Sequence, residues 1–477
     1  MKKKKWPVFL VCFILLLVCT GVFLFRINRF DLVIQLNAPT EVTIPVGGVF
    51  EQPDVQISLV GSHFFRNGIR LERPYEVWGR VDASSPGSYH LTYCAEFWMW
   101  EARTEQSVRV LDNEPPAITL ISNPDNFTIY GETYDEEGYS AWDNAEGDIT
   151  ERVVRQEKDG VVTYSVSDES GNRTTVSRNI YYVDITPPVL TLLGGDTVTV
   201  LSGQNYEEPG WTVTDNRDGD LGGQVKVDGF VDKYRAGNYQ LTYTVKDRSG
   251  NCTELFRTVT VQGKEQQKTV YPDGKVIYLT FDDGPGVYTE QLLRILAAYD
   301  AKATFFVVNT DCVDVISSIA AGGHSLGIHS VNHDYREIYA GADAYFHDIL
   351  TMQDLIYQKT GVMTYLMRFP GGSSNTVSCF NEGIMTYLTR AVEDMGFRYF
   401  DWNVDSRDAG GAKNAKEVYE NVIGGVQGQR ISIVLQHDIK GFSVEAVEKI
   451  LAWGNANGYR FLALDMSSPT AHHGVNN

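Results

Sequence analysis

The sequence predicts a multidomain chain with an N-terminal membrane helix, three all-β sandwiches and a C-terminal parallel α/β barrel or sheet. Three observations predict this order. An apolar run lies near the N-terminus, short strands rich in Val, Thr and Tyr repeat over residues 31–262, and strands alternate with helices from residue 276 onward. With 477 residues, the chain is long enough for about three to four domains.

The composition of the chain argues against a nucleic-acid partner. Hydrophobic residues make up 43% of the chain and charged residues 21%, which is an ordinary globular balance. The formal net charge is −20. Because nucleic-acid binding needs clustered Lys and Arg, no nucleic-acid partner is expected.

The N-terminus predicts a membrane anchor. Lys2–Lys5 precede the apolar run Val8–Phe25, which is near the lower length limit for spanning a bilayer. No small-residue cleavage site follows the run, so an uncleaved anchor is favoured over a signal peptide. The lysines outweigh Arg26 and Arg29 after the run. The N-terminus is therefore expected in the cytoplasm, and the chain from about Arg26 onward outside the membrane.

The middle of the chain contains internal repeats. Glu114–Leu120 reappears as Thr186–Leu192, and Val162–Asp168 reappears as Leu241–Asp247. A weaker first copy contains Pro86–Tyr93. The alternation of apolar and polar residues between Gly, Pro, Asn and Asp turns is typical of β-sandwiches. The units resemble bacterial immunoglobulin-like domains of surface proteins.

Two features of the repeats have competing interpretations. The loop Asp215–Asp220 is acidic enough to suggest calcium, but it lacks EF-hand spacing, and Asp, Asn and Gly are ordinary turn residues, so a turn is favoured. The aromatic residues Phe97, Trp98 and Trp100 suggest a sugar platform, but packing is favoured.

Of the six cysteines, Cys312 and Cys379 fall in one predicted domain, where a disulfide and a free pair are equally compatible with the sequence.

The C-terminal region alternates strands and helices. The predicted strands are Val276–Phe281, Ala303–Val308, His324–His329, Leu366–Phe369, Tyr399–Trp402 and Ile431–His437. The predicted helices are Thr289–Tyr299, Asp343–Tyr357, Glu382–Met395, Ala415–Ile423 and Val444–Asn457. Functional sites in such folds cluster at the C-terminal ends of strands.

Polar residues recur at those strand ends. They form the motifs Thr280–Pro285, His329–His333, Met367–Gly372, Asp405–Asp408 and Leu435–His437. Two His at i and i+4 face one side if the segment turns helically. A carboxylate from another strand end would complete a three-ligand set that leaves coordination positions for water, as a catalytic metal site requires.

This order of motifs resembles the polysaccharide deacetylase family, also called the NodB homology domain or carbohydrate esterase family four, over about residues 270–465. The resemblance implies a distorted (β/α) barrel and a hydrolase that removes N-acetyl groups. It implies that a divalent metal, usually zinc, is held by Asp283, His329 and His333. Asp282 would then be the general base, paired with Arg368.

The resemblance also implies that His437 is the general acid, that Asp408 orients it, and that substrate is contacted by Pro370, Gly371 and Leu435. Two positions depart from the family pattern. Gly371 stands where the family often has Tyr but retains its backbone N–H. Ala409 stands where the family often has a Trp that walls the acetyl pocket, and Trp402 is a candidate to fill that space.

Other polar residues receive lesser roles. His324 is expected to be a hydrogen-bonded core residue. Three histidines match no motif, namely His347, His472 and His473. Three carboxylates are expected in turns or as supporting groups, namely Asp401, Asp405 and Asp438.

The complete prediction assigns a domain to every part of the chain. Its segments are the cytoplasmic stub and anchor (1–30), three sandwiches (31–112, 113–185 and 186–262), a linker (263–275), the catalytic domain (276–466) and a polar tail (467–477). An anchored bacterial enzyme would act on its own envelope, hence on peptidoglycan. An O-acetyl esterase acting on hemicellulose and a non-catalytic glycan-binding adhesin remain alternatives.

Overall fold

The computed structural model of the chain describes residues 6–123 and 126–477. The predicted Lys2–Lys5 cluster lies outside the described residues. The described chain divides into two compact units between Ile185 and Thr186. The first unit begins with the helix Trp6–Ile27, whose part Phe9–Ile27 is long and apolar enough to cross a membrane.

After this helix, the first unit contains two β modules. Module 1 (residues 30–111) has a sheet of Phe30–Leu36, Val55–Gly61 and Ile69–Leu71, and a second sheet of Glu41–Pro45, Trp100–Leu111, Gly87–Phe97 and Glu76–Trp78. Alternate residues of its long strands are buried, as the period of two requires. Tyr93 lies fully buried in this core, where its hydroxyl donates to Gln106 Oε1 at 3.0 Å.

Module 2 (residues 117–183) is built from shorter strands. Its sheets contain Ala117–Leu120, Tyr139–Asp143 and Gly147–Asp148; Val154–Lys158, Val161–Ser167 and Arg173–Asn179; and the pair Thr128–Ile129 with Tyr182–Val183. A 3₁₀ turn covers Thr150–Arg152. The fully buried residues Val162 and Tyr164 occupy the centre of its core.

The second unit begins with module 3 (residues 189–262). One sheet contains Val189–Leu192, Trp211–Asp215 and Gly219–Asp220, and the other contains Thr197–Leu201, Cys252–Gln262, Gly237–Lys246 and Lys226–Asp228. A 3₁₀ turn covers Gly222–Gln224. In the loop Asp215–Asp220, the Asp215 carboxylate accepts hydrogen bonds from the backbone N–H groups of Arg217 and Asp218, as a turn residue does.

The region predicted as the catalytic domain is built on one parallel sheet. In spatial order its strands are Arg398–Tyr399, Leu366–Met367, Ser325–Ile328, Ala303–Val307, Lys275–Asp282, Ile431–His437 and Val404–Asp405, with Tyr459–Phe461 beside the start of Lys275–Asp282. The two end strands are separated in the chain by residues 400–403 alone. The sheet therefore curls back toward itself into a barrel-like form.

Helices connect these strands. They are Thr289–Ala298, Ile316–Ala321, Tyr335–Ile338, Ala342–Thr360, Ile384–Asp394, Ala415–Val426 and Gly441–Ala456, with a 3₁₀ turn at Val313–Val315. Along the central strand, Ile277 and Leu279 belong to the large cluster that includes the helices, while Val276 and Tyr278 belong to a second cluster with Phe306. A strand buried on both sides explains the continuous apolar run in the sequence.

Module 3 packs directly against the catalytic domain. The ring of Tyr234 stacks on Phe346 with centroids 4.1 Å apart, and its hydroxyl donates to Asp343 Oδ1 at 2.8 Å. Arg235 forms an ion pair with Asp394. These contacts join the two domains of the second unit through groups that the sequence alone did not connect.

The predicted linker and tail also lie against the catalytic domain. In the linker, Lys264 N–H donates to Asp394 O at 2.9 Å. In the tail, the ring of His472 stacks on Tyr399 with centroids 3.8 Å apart. Cys312 and Cys379 are not bonded to each other.

Candidate active site

The first two candidate residues emerge from the central strand. Asp282 is the last residue of Lys275–Asp282, in which every residue after Lys275 is buried. Asp283 follows with φ +70°, in the left-handed region. That local turn carries the chain away from the sheet and leaves two adjacent carboxylates at its C-terminal edge.

The two histidines follow the strand Ser325–Ile328 in an irregular loop. The sequence suggested that a helical turn would bring them together, but the helix Tyr335–Ile338 begins only after them, capped by the Asp334 side chain. Instead, His333 adopts φ +54°. This bend brings the ring centroids of His329 and His333 to 5.1 Å.

Asp283, His329 and His333 converge as the metal prediction requires. Asp283 Oδ1 lies 3.5 Å from His329 Nε2 and 3.3 Å from His333 Nε2, and one ligand atom of each residue lies within 4.8 Å of the other two. Among the described residues, Asp283 Oδ1 is buried without a hydrogen-bond donor. His329 Nδ1 lies 2.8 Å from Arg368 O, which leaves Nε2 free for a metal. The donor set therefore fits a divalent cation.

The electrostatics of the set are strongly coupled. Burial disfavours the charged form of Asp283, but the neighbouring imidazoles outweigh burial and hold its pKa well below the usual range. Burial likewise opposes the charging of His329, but Asp282 and Asp283 outweigh it and raise the pKa of His329. Burial, followed by the charge of His329, lowers the pKa of His333.

Arg368 connects three strand ends. It is fully buried, and its NH1 donates to Asp282 Oδ1 at 2.8 Å and to Thr280 Oγ1 at 2.7 Å. Its Nε and NH2 donate to the carbonyls of Phe400 and Asp401. A planar guanidinium suits this divergent set of acceptors. Arg368 therefore fixes the orientation of the Asp282 carboxylate.

His437 and Asp408 form a second buried pair. His437 ends the strand Ile431–His437, and its Nδ1 lies 2.7 Å from Asp408 Oδ1. Asp408 Oδ2 accepts from the His437 N–H at 2.7 Å and from Ser443 Oγ at 2.6 Å. Burial disfavours imidazolium, but the hydrogen bond and charge of Asp408, joined by Asp282 and Asp283, raise the pKa of His437 to about 9.

A cleft of about 300 Å³ is lined by the proposed acid, base and metal ligands, namely Asp282, Asp283, His329, His333 and His437. Of the three residues predicted to contact substrate, Gly371 and Leu435 line the cleft and Pro370 is not among its lining residues; the Pro370 carbonyl accepts from Tyr339 OH at 2.8 Å. Trp402 and Ala409 both line the cleft. Trp402 therefore contributes an aromatic side chain to the wall of the same cleft that Ala409 lines.

Three cleft residues carry no separate signal in the motif analysis. Tyr335 lies edge-on to His333 with ring centroids 5.0 Å apart, and Arg407 and Gly410 line the cleft. The position of Tyr335 just after the histidine motif was a usable clue. Arg407 lies between Asp405 and Asp408 in the sequence, which does not by itself predict that it lines the cleft. The conformation of the loop, in which Arg407 adopts φ +58°, brings it there.

His324 and Asp401, two residues expected to have supporting roles, are held by hydrogen bonds to the surrounding chain. His324 Nδ1 accepts from Ala303 N–H, and burial, aided by Lys302, lowers the pKa of His324 to about 4. Asp401 is fully buried and accepts from Ser373 and from His473 N–H.

The other carboxylates and His347 are not part of the Asp283, His329 and His333 group. Asp405 lines the cleft, where it accepts from the Arg407 N–H. Asp438 accepts from Thr289, and burial raises its pKa to about 7. His347 is exposed on the helix Ala342–Thr360.

Comparison with known proteins decides the family. A family model for polysaccharide deacetylase matches residues 269–392. A peptidoglycan-N-acetylglucosamine deacetylase from Bacillus cereus is 36% identical over 201 residues, which cover 40% of this chain and 69% of the relative. The chain belongs to the polysaccharide deacetylase family. Deacetylases of this family are metal-dependent hydrolases, and the Asp283, His329 and His333 set provides a possible metal site here.

Further matches extend the comparison of this deacetylase. A family model for the Ig-like domain of bacterial surface proteins matches residues 190–261 in module 3. The peptidoglycan-N-acetylglucosamine deacetylase PgdA from Listeria monocytogenes is 29% identical over 195 residues, which cover 40% of this chain and 38% of PgdA. The catalytic domain of a peptidoglycan N-acetylglucosamine deacetylase from Eubacterium rectale is 52% identical and covers 44% of this chain and 98% of that structure, with a TM-score of 0.44.

Proposed function

We propose that this deacetylase hydrolyses N-acetyl groups on peptidoglycan amino sugars and releases acetate. The observation that carries the proposal is the pairing of Asp282 with His437 in register across adjacent parallel strands. A candidate base and a candidate acid therefore stand side by side at the cleft, beside the possible metal set. The Bacillus cereus relative supports the choice of peptidoglycan through its name.

The acid and base have distinct proposed tasks. When bound, the metal would polarise the acetyl carbonyl and acidify water. Asp282, oriented by Arg368, accepts a proton from the attacking water. His437 keeps its proton on Nδ1 through Asp408 and presents Nε2, which lies 3.8 Å from Asp283 Oδ2, to the cleft. From Nε2 it donates a proton to the departing amine, a transfer that amide hydrolysis needs because an amine is a poor leaving group.

Two further assignments concern the group that stabilises the oxyanion and the identity of the metal. We infer that the Gly371 N–H donates to the developing oxyanion, since Gly371 lines the cleft at φ +77°. Zinc is the metal we propose, because two imidazoles and one carboxylate with open positions are a zinc-type donor set.

A comparison of substrates tests the proposed reaction. Zinc-loaded protein should release acetate from peptidoglycan fragments faster than from an O-acetylated hemicellulose. The rate of acetate release from chitin oligomers, measured alongside, shows how strongly the reaction depends on the rest of the glycan. Faster turnover of the ester substrate would assign the cleft to an esterase, and acetate release from neither would support a binding protein.

The location of the enzyme is also a proposal. We infer that the helix Trp6–Ile27 anchors the chain and that modules 1 and 2 share the Ig-like fold of module 3, since each is built from small β-sheets packed around buried apolar residues. The modules would hold the catalytic domain outside the membrane. Protease added to cells stripped of their wall should digest that domain, whereas its protection would contradict this orientation.

The roles of Asp408 and Asp405 can be separated by pH. Asp408→Asn removes a charge that favours the imidazolium form, so the pKa of His437 should fall. The protonated acid is then lost at lower pH, and the alkaline limb of the kcat profile should move down by at least about one pH unit, with a lower kcat. Zinc content should stay unchanged.

Asp405→Asn is the matched control for this measurement. Asp405 is exposed and bonded to the Arg407 N–H, so its substitution should leave the alkaline limb in place. A limb that moves with Asp405→Asn and stays fixed with Asp408→Asn would assign the orienting role to Asp405.

A further inference from the structure

Three aspartates converge where module 1 ends and module 2 begins. Asp112 follows the last strand of module 1, Asp143 ends the strand Tyr139–Asp143, and Asp168 follows the strand Val161–Ser167. Each offers a carboxylate oxygen within 4.8 Å of the other two. Their exposed fractions are only 6%, 1% and 7%. Three carboxylates thus share a space that is nearly closed to water.

Two of these carboxylates have an oxygen with no protein donor. Among the described residues, Asp112 Oδ2 and Asp143 Oδ2 are buried and accept no hydrogen bond. Their other oxygens are engaged, since Asp112 Oδ1 accepts from Glu114 N–H and Asp143 Oδ1 accepts from Ala145 and Glu146 N–H. Buried acceptors without donors destabilise a fold unless something else satisfies them.

The cluster lacks an ion-pair partner among the described residues. In the described part of the chain, no ion pair involves Asp112, Asp143 or Asp168, and the nearby Arg152 is paired with Glu146. Like charges in a desolvated space repel strongly. A bound dication would offset most of this charge, and the two unpartnered carboxylate oxygens would coordinate it.

The third carboxylate is held in place by Asn172. Asp168 Oδ1 accepts from the Asn172 N–H at 2.7 Å, and Asp168 Oδ2 accepts from Asn172 Nδ2 at 2.8 Å. The same Nδ2 donates to Asp112 O at 3.1 Å. One side chain thus ties a loop of module 2 to the end of module 1, and the cluster is preformed across the junction.

We propose that Asp112, Asp143 and Asp168 bind a calcium ion that fastens module 1 to module 2. The three side chains offer oxygen donors alone, which suit calcium, whereas zinc favours nitrogen and sulfur. Calcium also tolerates irregular coordination, completed by carbonyls and water, better than magnesium does. Because the ligands come from both modules, the ion would stiffen the junction.

Calcium binding to the full-length chain in detergent tests this site. Zinc is added first to fill the Asp283, His329 and His333 set, and bound radioactive calcium is then counted by equilibrium dialysis. Wild type should bind one more ion per chain than Asp143→Asn, with a Kd of about 10⁻⁴–10⁻³ M, as in extracellular calcium modules. Asp159→Asn is the control because Asp159 is exposed and its φ of +51° suits Asn.

A second variant and a thermal melt provide two further tests of the calcium site. Asp112→Asn should lose the same ion, so the count does not depend on one variant folding. Calcium should raise the melting temperature of wild type but raise it less in either variant. Equal calcium counts in wild type and folded variants, or no binding by wild type up to about 10⁻² M calcium, would overturn the proposal.

Discussion

His329→Ala should remove zinc from the purified protein and reduce kcat/KM by about 10³-fold or more. His329 is almost completely buried, and its orientation is fixed by Arg368 O, so no neighbouring side chain can replace its Nε2. Metal polarisation is worth several kcal/mol, and each ~1.4 kcal/mol is a factor of ten in rate. Elemental analysis and initial rates measure the two losses.

His347→Ala is the matched control, because His347 is exposed and lies outside the cleft. It should keep both zinc and activity.

Zinc affinity of the wild type should also weaken at acid pH, because a ligand imidazole must be neutral and the carboxylates beside His329 raise its pKa. Full activity of His329→Ala without metal would contradict the assigned metal set.

Asp282→Asn and His437→Ala should each lower kcat by roughly 10²–10⁴-fold, the usual share of acid–base catalysis. Neither residue is a proposed ligand, so zinc content should survive both changes. Initial rates at saturating substrate measure the effect. Near-normal turnover in either variant would mean that the acid and base are assigned to the wrong residues.

Folding must be controlled in these variants. Asp282 forms a buried ion pair with Arg368, and breaking such a pair can cost about 3–5 kcal/mol of stability. Asn retains an oxygen that can accept from Arg368, so Asp282→Asn should melt closer to wild type than Asp282→Ala. Comparing their melting curves separates lost catalysis from lost structure.

The fold of the catalytic domain was largely predictable from periodicity. The strand Ile431–His437 was predicted with the observed bounds, because a continuous apolar run ends there in a polar motif. The strands Val404–Asp405 and Tyr459–Phe461 were missed. They are two and three residues long and gain their definition from pairing with neighbouring strands, which no local pattern encodes.

The sequence motifs predicted which residues would meet at the cleft better than they predicted the local geometry there. Parallel strands bring their ends to one edge, so the meeting of Asp282 with His437 follows from topology. Two loop conformations did not follow. The His329–His333 segment bends at a positive φ instead of forming a helical turn, and Arg407 reaches the cleft from a loop in which it too adopts a positive φ.

The most direct test is to map free amines on peptidoglycan treated with the zinc-loaded enzyme. Fragments with intact N-acetyl groups are incubated with wild type and with Asp282→Asn, and their sugars are analysed by mass spectrometry while acetate is counted. Wild type should yield one free amine on an amino sugar for each acetate released, and Asp282→Asn should yield almost none. Acetate release without new amines, or equal release by both proteins, would contradict N-deacetylation by this cleft.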